Sequence, residues 1–298
     1  DHILVQEEAR REGDLVTVTA AQTQASYIRP VGMDFCRGDV LRPKGARLSA
    51  IDLSLLAAGN IASVSVIRRP LVALFDNGDE LVELGSEPEK GRIVASNRYA
   101  LVALIEAWGG RAQYLGRADD TISSVREMIE RGHGADIVVS VGGASVGEHD
   151  HARAAFAAAG GSMLFEKVAV RPGKPSWFGR LGDGFVLGLP GNPASAIVCA
   201  VLFLRPLIAV LLGADDVSQT VRAALDGPLP ANGQREAYLR AQMRIDTEGR
   251  LHVRAASNQD SSLISVLAEA DTLIRRPAGA PAAPVGAIVE AGLLGRFI

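Results

Sequence analysis

The sequence predicts an α/β protein: a central, mostly parallel sheet with helices on both faces, a β-rich region before it and a β-domain after it. Three observations predict this. Between Leu71 and Gly213, short apolar runs alternate with helix-length segments, the repeating unit of parallel sheets. The first 67 residues hold short alternating segments and one helix-like stretch. After Asp215 the pattern returns to alternating strands. A chain of 298 residues, 48% hydrophobic and 22% charged, can bury a sizeable core and suggests two or three domains. The expected divisions are 1–67, 68–214 and 215–298.

Taken in order, Ile3 to Val5 reads as a strand, followed by a Gly13-Asp14 turn and the alternating Leu15-Val16-Thr17-Val18-Thr19. A hairpin with no lead-in gives the expectation that the chain is part of something longer. Ser49 to Ala58 places Ile51, Leu55 and Leu56 at helical spacing, with Gly59 to close it. Ile61 to Ile67 alternates like a strand, and Arg68-Arg69-Pro70 marks a boundary. Leu71 to Phe75 is a buried strand and Asp76-Asn77-Gly78-Asp79 a turn. Asn97 caps a helix running to Trp108, which Gly109-Gly110 ends. A strand at Ala112 to Leu115 precedes Asp119-Asp120, which cap a helix to Arg131. Ile137 to Val141 is the next strand, and Asp150 caps a helix to Ala159. Met163 to Val170 reads as one strand leading to Pro172-Gly173-Lys174-Pro175. Phe185 to Leu187 leads to Leu189-Pro190-Gly191-Asn192-Pro193 and a long helix. Ala194 to Leu212, interrupted by Arg205-Pro206, reads as a buried helix and not a membrane span. Ala237 to Ile245 and Leu251 to Ala255 flank Asp246-Thr247-Glu248-Gly249 as a hairpin, and Ala278 to Pro284 is a linker before a last strand.

A net charge of −3 supplies no overall basic field for nucleic acid, so any anion site is local. Cys36 and Cys199 stand in no ligand spacing, which argues against a disulfide framework or structural zinc and suits a reducing, cytoplasmic setting. The opening Asp1-His2-Ile3-Leu4-Val5 does not read as a signal peptide.

Ligands of parallel sheets bind at the carboxyl ends of the strands, and every glycine-rich loop here falls at such an end. Gly142, Gly143 and Gly147 let backbone N–H groups approach a ligand closely. Their spacing is neither the dinucleotide fingerprint nor a P-loop. Lys167, Arg171 and Lys174 supply positive charge, with Lys167 and Arg171 on one face of the expected strand. Asn192 as N-cap and Pro193 at the first helical position point the positive end of a helix into the same crevice. The acids Glu80, Asp119, Asp120 and Asp150 follow successive strands, and together they suit Mg²⁺ bridging carboxylate and phosphate. His149 and His151 would splay apart at a helix start, which disfavours zinc. Ser145 lacks a nucleophile elbow. The residues by themselves thus point to an anionic, pyrophosphate-bearing ligand with a metal.

Val139-Ser140-Val141-Gly142-Gly143-Ala144-Ser145-Val146-Gly147-Glu148-His149-Asp150 resembles the S-G-G-x-S-x-G-[DE]-x-D loop of the molybdopterin molybdenumtransferase family (MoeA and the E domain of gephyrin). Gly78-Asp79-Glu80-Leu81 resembles its T-G-[DN]-E-L, and Ser96-Asn97 its [DS]-x-N helix start. Pro172-Gly173-Lys174-Pro175 and Leu189-Pro190-Gly191-Asn192-Pro193 match its P-G-K-P and L-P-G-N-P. Arg29-Pro30-Val31-Gly32-Met33-Asp34 resembles R-x-x-G-x-D, and Asn258-Gln259-Asp260-Ser261 resembles G-x-Q-x-S. The series is ordered and covers essentially the whole chain.

The resemblance implies a molybdopterin-binding type of sheet domain and a C-terminal β-barrel-like domain. It implies Mg²⁺- and molybdate-dependent cleavage of the phosphoanhydride of adenylylated molybdopterin, with AMP released and the metal inserted at the dithiolene. By motif, Asp150, Glu80 and Asp119 or Asp120 would serve metal and ligand, with Glu80, Asp120 and Asp150 on the metal. Gly142, Gly143, Ser145, Gly147, Lys167, Arg171, Lys174 and Pro190 to Pro193 (Pro190, Gly191, Asn192, Pro193) would hold the pterin nucleotide or molybdate. Asp34, Arg235 or Arg240, and Ser261 would come from across a dimer or from the last domain. A homodimer, the molybdopterin adenylyltransferase as partner, and no contact with nucleic acid or membrane complete the implication. Asp76-Asn77 stands where the family has Ser-Thr, Val141 where it has Ser, and Arg171 where it has Lys. The family's S-x-x-D-G-[YF]-A region would precede Asp1, which implies an incomplete first domain pair and impaired dimerisation or activity. The competing reading is a non-catalytic pterin-nucleotide binding or scaffold protein of the same fold. A nucleotide amidohydrolase or pyrophosphatase sharing the α/β domain is disfavoured by the flanking β-regions.

Overall fold

The computed structural model describes residues 6–18, 28–87, 89–143, 151–214 and 220–294. The chain divides into two compact units, Asp1–Ser65 and Val66–Ile298. In the first, β1 (Ala9–Glu12) pairs antiparallel with β2 (Leu15–Val18) across Gly13-Asp14. The hairpin partner is therefore Ala9–Glu12; Ile3 to Val5 lies outside the described residues. Helix α1 (Ala50–Ala58) starts with a reciprocal capping box. Asp52 N donates to Ser49 Oγ at 3.3 Å and Ser49 N to the Asp52 carboxylate at 2.7 Å. The strand expected at Ile61 to Ile67 is absent: these residues are all exposed and have no face to bury, so alternation alone does not make a strand.

The second unit holds a six-stranded sheet in the order β6-β3-β7-β11-β10-β8. The strands are β3 (Leu71–Asn77), β6 (Arg111–Ala118), β7 (Ile137–Val141), β8 (Ser162–Phe165), β10 (Trp177–Leu181) and β11 (Gly184–Leu189). Two short strands, β4 (Leu81–Val82) and β5 (Ile93–Val94), pair beside it. β6, β3, β7 and β11 run parallel, and β10 is antiparallel to both its neighbours. Residue parity sorts the side chains. Val72, Leu74, Val139 and Leu187 face α2 (Asn97–Ala107) and α5 (Pro193–Leu211), while Ala73, Phe75, Val138 and Val186 face α3 (Ile122–Arg131) and α4 (His151–Ala158). Each fully buried Leu or Ile in these layers contributes roughly 1.5–3 kcal/mol.

Helix α5 has the length and hydropathy of a membrane span, 19 residues at 2.4, yet 56% of its most apolar window is buried inside the unit. It runs through Pro206 by a π-helical stretch, Ala200–Leu204, in which Arg205 N reaches Ala200 O. The wider turn makes room for a ring that would otherwise strike the carbonyl four residues back.

The last strands are β12 (Thr220–Leu225), β13 (Glu236–Ile245), β14 (Leu251–Ala255), β15 (Thr272–Arg276) and β16 (Ile288–Leu293), with α6 (Ile264–Ala268) between β14 and β15. They run in the order β14-β12-β16-β15-β13, and β13 pairs again with β14, closing a barrel around Leu225, Met243, Val253 and Ile274. One further strand, β9 (Val170–Arg171), adds to β13. The stretch Met163 to Val170 is therefore not one strand. It ends at Phe165 in the parallel sheet and resumes in the barrel sheet, where Glu236 N donates to the Ala169 carbonyl at 2.9 Å. Lys167 thus lies outside any strand, and the shared face expected for Lys167 and Arg171 does not exist.

Candidate functional site

The carboxyl ends of β3, β6, β7 and β11 meet at one edge, and their backbones interlock. Gly142 N donates to Leu189 O at 3.0 Å and Gly78 N to Ala118 O at 3.4 Å. Asp76 and Asn77, expected in a turn, are the last residues of β3 and both are 2% exposed. They point to opposite faces of the sheet.

Asn77 faces the α3/α4 side and lies beneath the Gly142-Gly143 turn. A Cβ on Gly142 would meet Asn77 O at 2.3 Å, and one on Gly143 would meet Asn77 Nδ2 at 2.0 Å. Both glycines have positive φ, +96° and +65°, so they serve close approach and left-handed backbone together. The two amide atoms of Asn77 and the hydroxyl of Ser140 are buried with no partner among the described residues. Such orphans at a ligand edge call for a ligand or water. Val141 packs instead into the core on the α2/α5 side, 2% exposed, so its loss of a hydroxyl relative to the family motif changes packing and not the ligand turn.

Asp76 faces α2. Its Oδ2 accepts from Tyr114 Oη at 3.1 Å, and Arg98 stacks over the Tyr114 ring at 4.5 Å while pairing with Glu83. Burial pushes the Asp76 carboxyl above the usual range, against the opposing pull of Tyr114 and Arg98. Burial and the Asp76 charge raise the Tyr114 phenol to about 12.

The acids gather on two adjacent turns. Asp120 N donates to Asp79 Oδ1 at 3.2 Å and Asp79 N lies 3.5 Å from Asp120 Oδ2, so the turns after β3 and β6 are cross-bonded. Arg117 donates to Leu81 O at 2.8 Å and to Asp119 at 3.3 Å, and Arg92 donates to Asp79 O. The Glu80 carboxylate folds over Gly78, whose missing Cβ leaves it room. Neither Asp119 nor Asp120 caps α3; Thr121 does, with its side chain accepting from Ser124 N at 3.2 Å. Among the described residues no three metal-ligating side chains come together. Asp150, Ser145 and Gly147, with Glu148 and His149, lie outside the described residues. A cleft of about 730 Å³ opens beside Asp120, lined by Thr121, Ile122, Arg126 and His151.

Loop 189–193 is the third wall. Asn97 is the first residue of α2 and not its cap, and its Nδ2 donates to Gly191 O at 2.7 Å. Asn192 has the extended backbone of a cap but makes no side-chain cap bond; its Nδ2 goes to Ser261 Oγ at 2.9 Å. Ala194 N donates to Ser261 O at 3.0 Å. Sequence reasoning missed both roles because each partner is more than sixty residues away. Lys174, Arg171 and Lys167 are exposed. Their loop is closed by Val168 N to Lys174 O at 3.1 Å and seated by Gly173, where a Cβ would strike Cys199 Sγ at 2.1 Å. Arg235 is exposed and its Nη1 approaches Val170 O at 3.4 Å. Arg240 is 1% exposed and bonds Gln259 and Asp260 O, while its Nη2 is buried with no partner among the described residues. Asp34 is exposed in the first unit, in a turn closed by Met33 N to Pro30 O at 3.2 Å.

Residues 75–210 match a family described as a probable molybdopterin binding domain, and residues 222–294 match the MoeA C-terminal region, domain IV. A molybdopterin molybdenumtransferase of Nostoc sp. is 33% identical over 288 residues, spanning 94% of this chain and 65% of the relative. One from Haemophilus influenzae is 32% identical, spanning 92% and 69%. The chain thus spans about two thirds of the length of these curated relatives. A crystal structure of the molybdopterin biosynthesis MoeA protein of Pyrococcus horikoshii superposes with a TM-score of 0.80 at 27% identity, covering 98% of this chain and 72% of that one.

Proposed function

We propose that this chain, which belongs to the molybdopterin molybdenumtransferase family, acts in molybdenum cofactor biosynthesis, binding adenylylated molybdopterin at the carboxyl edge of its sheet and inserting molybdenum from molybdate with release of AMP. The observation that carries the reading is the Asn77 amide, buried without a partner among the described residues beneath the Gly142-Gly143 turn, at the point where acid turns and loop 189–193 converge.

The turn offers bare backbone to a phosphate, and Lys167, Arg171 and Lys174 add charge at the same end of the sheet. Cleaving a phosphoanhydride asks a protein mainly for positioning and charge neutralisation, and these groups supply both. A bound Mg²⁺ would neutralise phosphate oxygens. The described residues alone do not assemble its site; Glu80, Asp120 and Asp150 would hold it together. A homodimer is part of the proposal, supported by the exposed Val31, Met33, Ile51 and Leu53 of the first unit. The adenylyltransferase partner and the cytoplasmic setting rest on the resemblance.

The test incubates the protein with adenylylated molybdopterin, Mg²⁺ and molybdate and follows AMP. Molybdate-dependent release is expected, and Asp150→Ala should abolish it while leaving the melting temperature in place. Tight pterin-nucleotide binding without molybdate-dependent AMP would identify the non-catalytic binding protein instead.

A further inference from the structure

We infer that Ser261 is a positioning residue for the ligand edge: through Asn192 and Ala194 it makes the C-terminal barrel hold loop 189–193 in its ligand-facing shape. The inference rests on the proposed function and deepens it at the same site.

A helix start leaves several N–H groups without intrahelical partners, and an Asn at the cap normally accepts from one of them. Asn192 has cap-like backbone, φ −60° and ψ 126°, but its side chain has turned away as a donor to Ser261 Oγ at 2.9 Å. The capping role passes to the Ser261 carbonyl, which takes Ala194 N–H at 3.0 Å. Ser261 therefore holds both sides of the Asn192-Pro193 peptide, with a side-chain contact before it and a backbone contact after it. On the near side Asn97 fixes the Gly191 carbonyl at 2.7 Å, and Leu189 O is tied to Gly142 N at 3.0 Å. A shift of Ser261 would be passed to the glycine turn through this loop.

Ser261 is itself held from below. The Gln259 side chain accepts from Arg240 N at 3.0 Å and Arg240 Nε at 3.1 Å, and donates to Arg240 O and Ala256 O, each at 2.9 Å. Arg240 Nη1 donates to Asp260 O at 2.7 Å, and the Asp260 carboxylate accepts from Ser262 N at 2.8 Å. Arg240 is buried within the barrel wall, so this support is anchored in the interior. A serine that merely filled space would need neither this bracing nor two bonds to one loop.

Binding of AMP to the protein, and separately of tungstate, is measured by calorimetry for wild type, Ser261→Ala, Ser261→Thr, Asn192→Ala and the Ser261→Ala/Asn192→Ala pair. Ser261→Ala keeps the backbone cap and loses the Asn192 contact, so AMP affinity should fall by roughly 3- to 10-fold, the range one neutral hydrogen bond covers. Ser261→Thr should restore it, the double variant should lose no more than the larger single loss, and thermal unfolding should be unchanged. Wild-type AMP affinity in Ser261→Ala, or losses that simply add, would overturn the inference while leaving the functional reading intact. If the wild type binds neither AMP nor tungstate, the functional reading fails and takes the inference with it.

Discussion

Replacing Gly143 by Ala probes the packing beneath the ligand turn. At φ +65° an L residue pays roughly 1–2 kcal/mol for left-handed backbone. The new Cβ would also lie 2.0 Å from Nδ2 and 3.0 Å from Cγ of Asn77. Overpacking of that kind costs about 1–3 kcal/mol, so the variant should be destabilised by about 2–5 kcal/mol. The clash is with a side chain alone, so Asn77→Ala in the same molecule should relieve it. A favourable coupling of roughly 1–3 kcal/mol is expected from the double-mutant cycle. Gly142→Ala is the control. Its Cβ would lie 2.3 Å from the Asn77 carbonyl oxygen, which Asn77→Ala leaves in place, so that pair should add within about 0.5 kcal/mol. Asn77→Ala alone should be close to neutral, because it removes from the interior two amide atoms that have no partner among the described residues. Urea unfolding followed by far-UV circular dichroism reads all five variants. Additivity of Gly143→Ala with Asn77→Ala would refute the placement of the amide under the turn.

Asp76 should make stability fall as pH rises. Its folded carboxyl is held above the ordinary value, so its contribution is present below the unfolded value and lost through the raised one. Asp76→Asn should therefore gain on the wild type as unfolding is measured from roughly pH 3 to pH 8; a constant difference would contradict the burial argument. Asp136 carries the opposite sign. Its bidentate pairing with Arg68 at 2.6 and 2.7 Å holds it low, so Asp136→Asn should cost most at neutral pH and little in acid, below the ordinary carboxylate value. Of the two cysteines, exposed Cys36 should react with a maleimide in the native protein. Buried Cys199, its thiol pushed up to about 11, should react only on unfolding; fast labelling of both would contradict the seating of the 172–175 loop on α5.

Short apolar runs located β3 and β7, which are buried on both faces of the sheet, and alternation about a turn located the β13–β14 hairpin. Alternation misled at Ile61 to Ile67, where every residue is exposed, and at Met163 to Val170, where Val170 joins a barrel strand instead. Cap chemistry failed for a related reason. Asn97 and Asn192 have residue types that suit local capping, yet each binds a distant segment instead, Gly191 and Ser261. A residue's local propensity is worth about 1 kcal/mol, which one good tertiary hydrogen bond can match.

The sequence by itself determined the fold class, the loops that line the ligand edge, and the family motifs in them, since glycines, prolines and acids at strand ends act through local backbone geometry. Only tertiary structure decided where those side chains point and what they bond. It turned Val141 and Arg240 into the interior, buried Asn77 beneath the glycine turn, and gave Ser261 to Asn192. The physical reason is that side-chain direction depends on strand parity, and hydrogen-bond partners depend on which distant segment packs beside the loop.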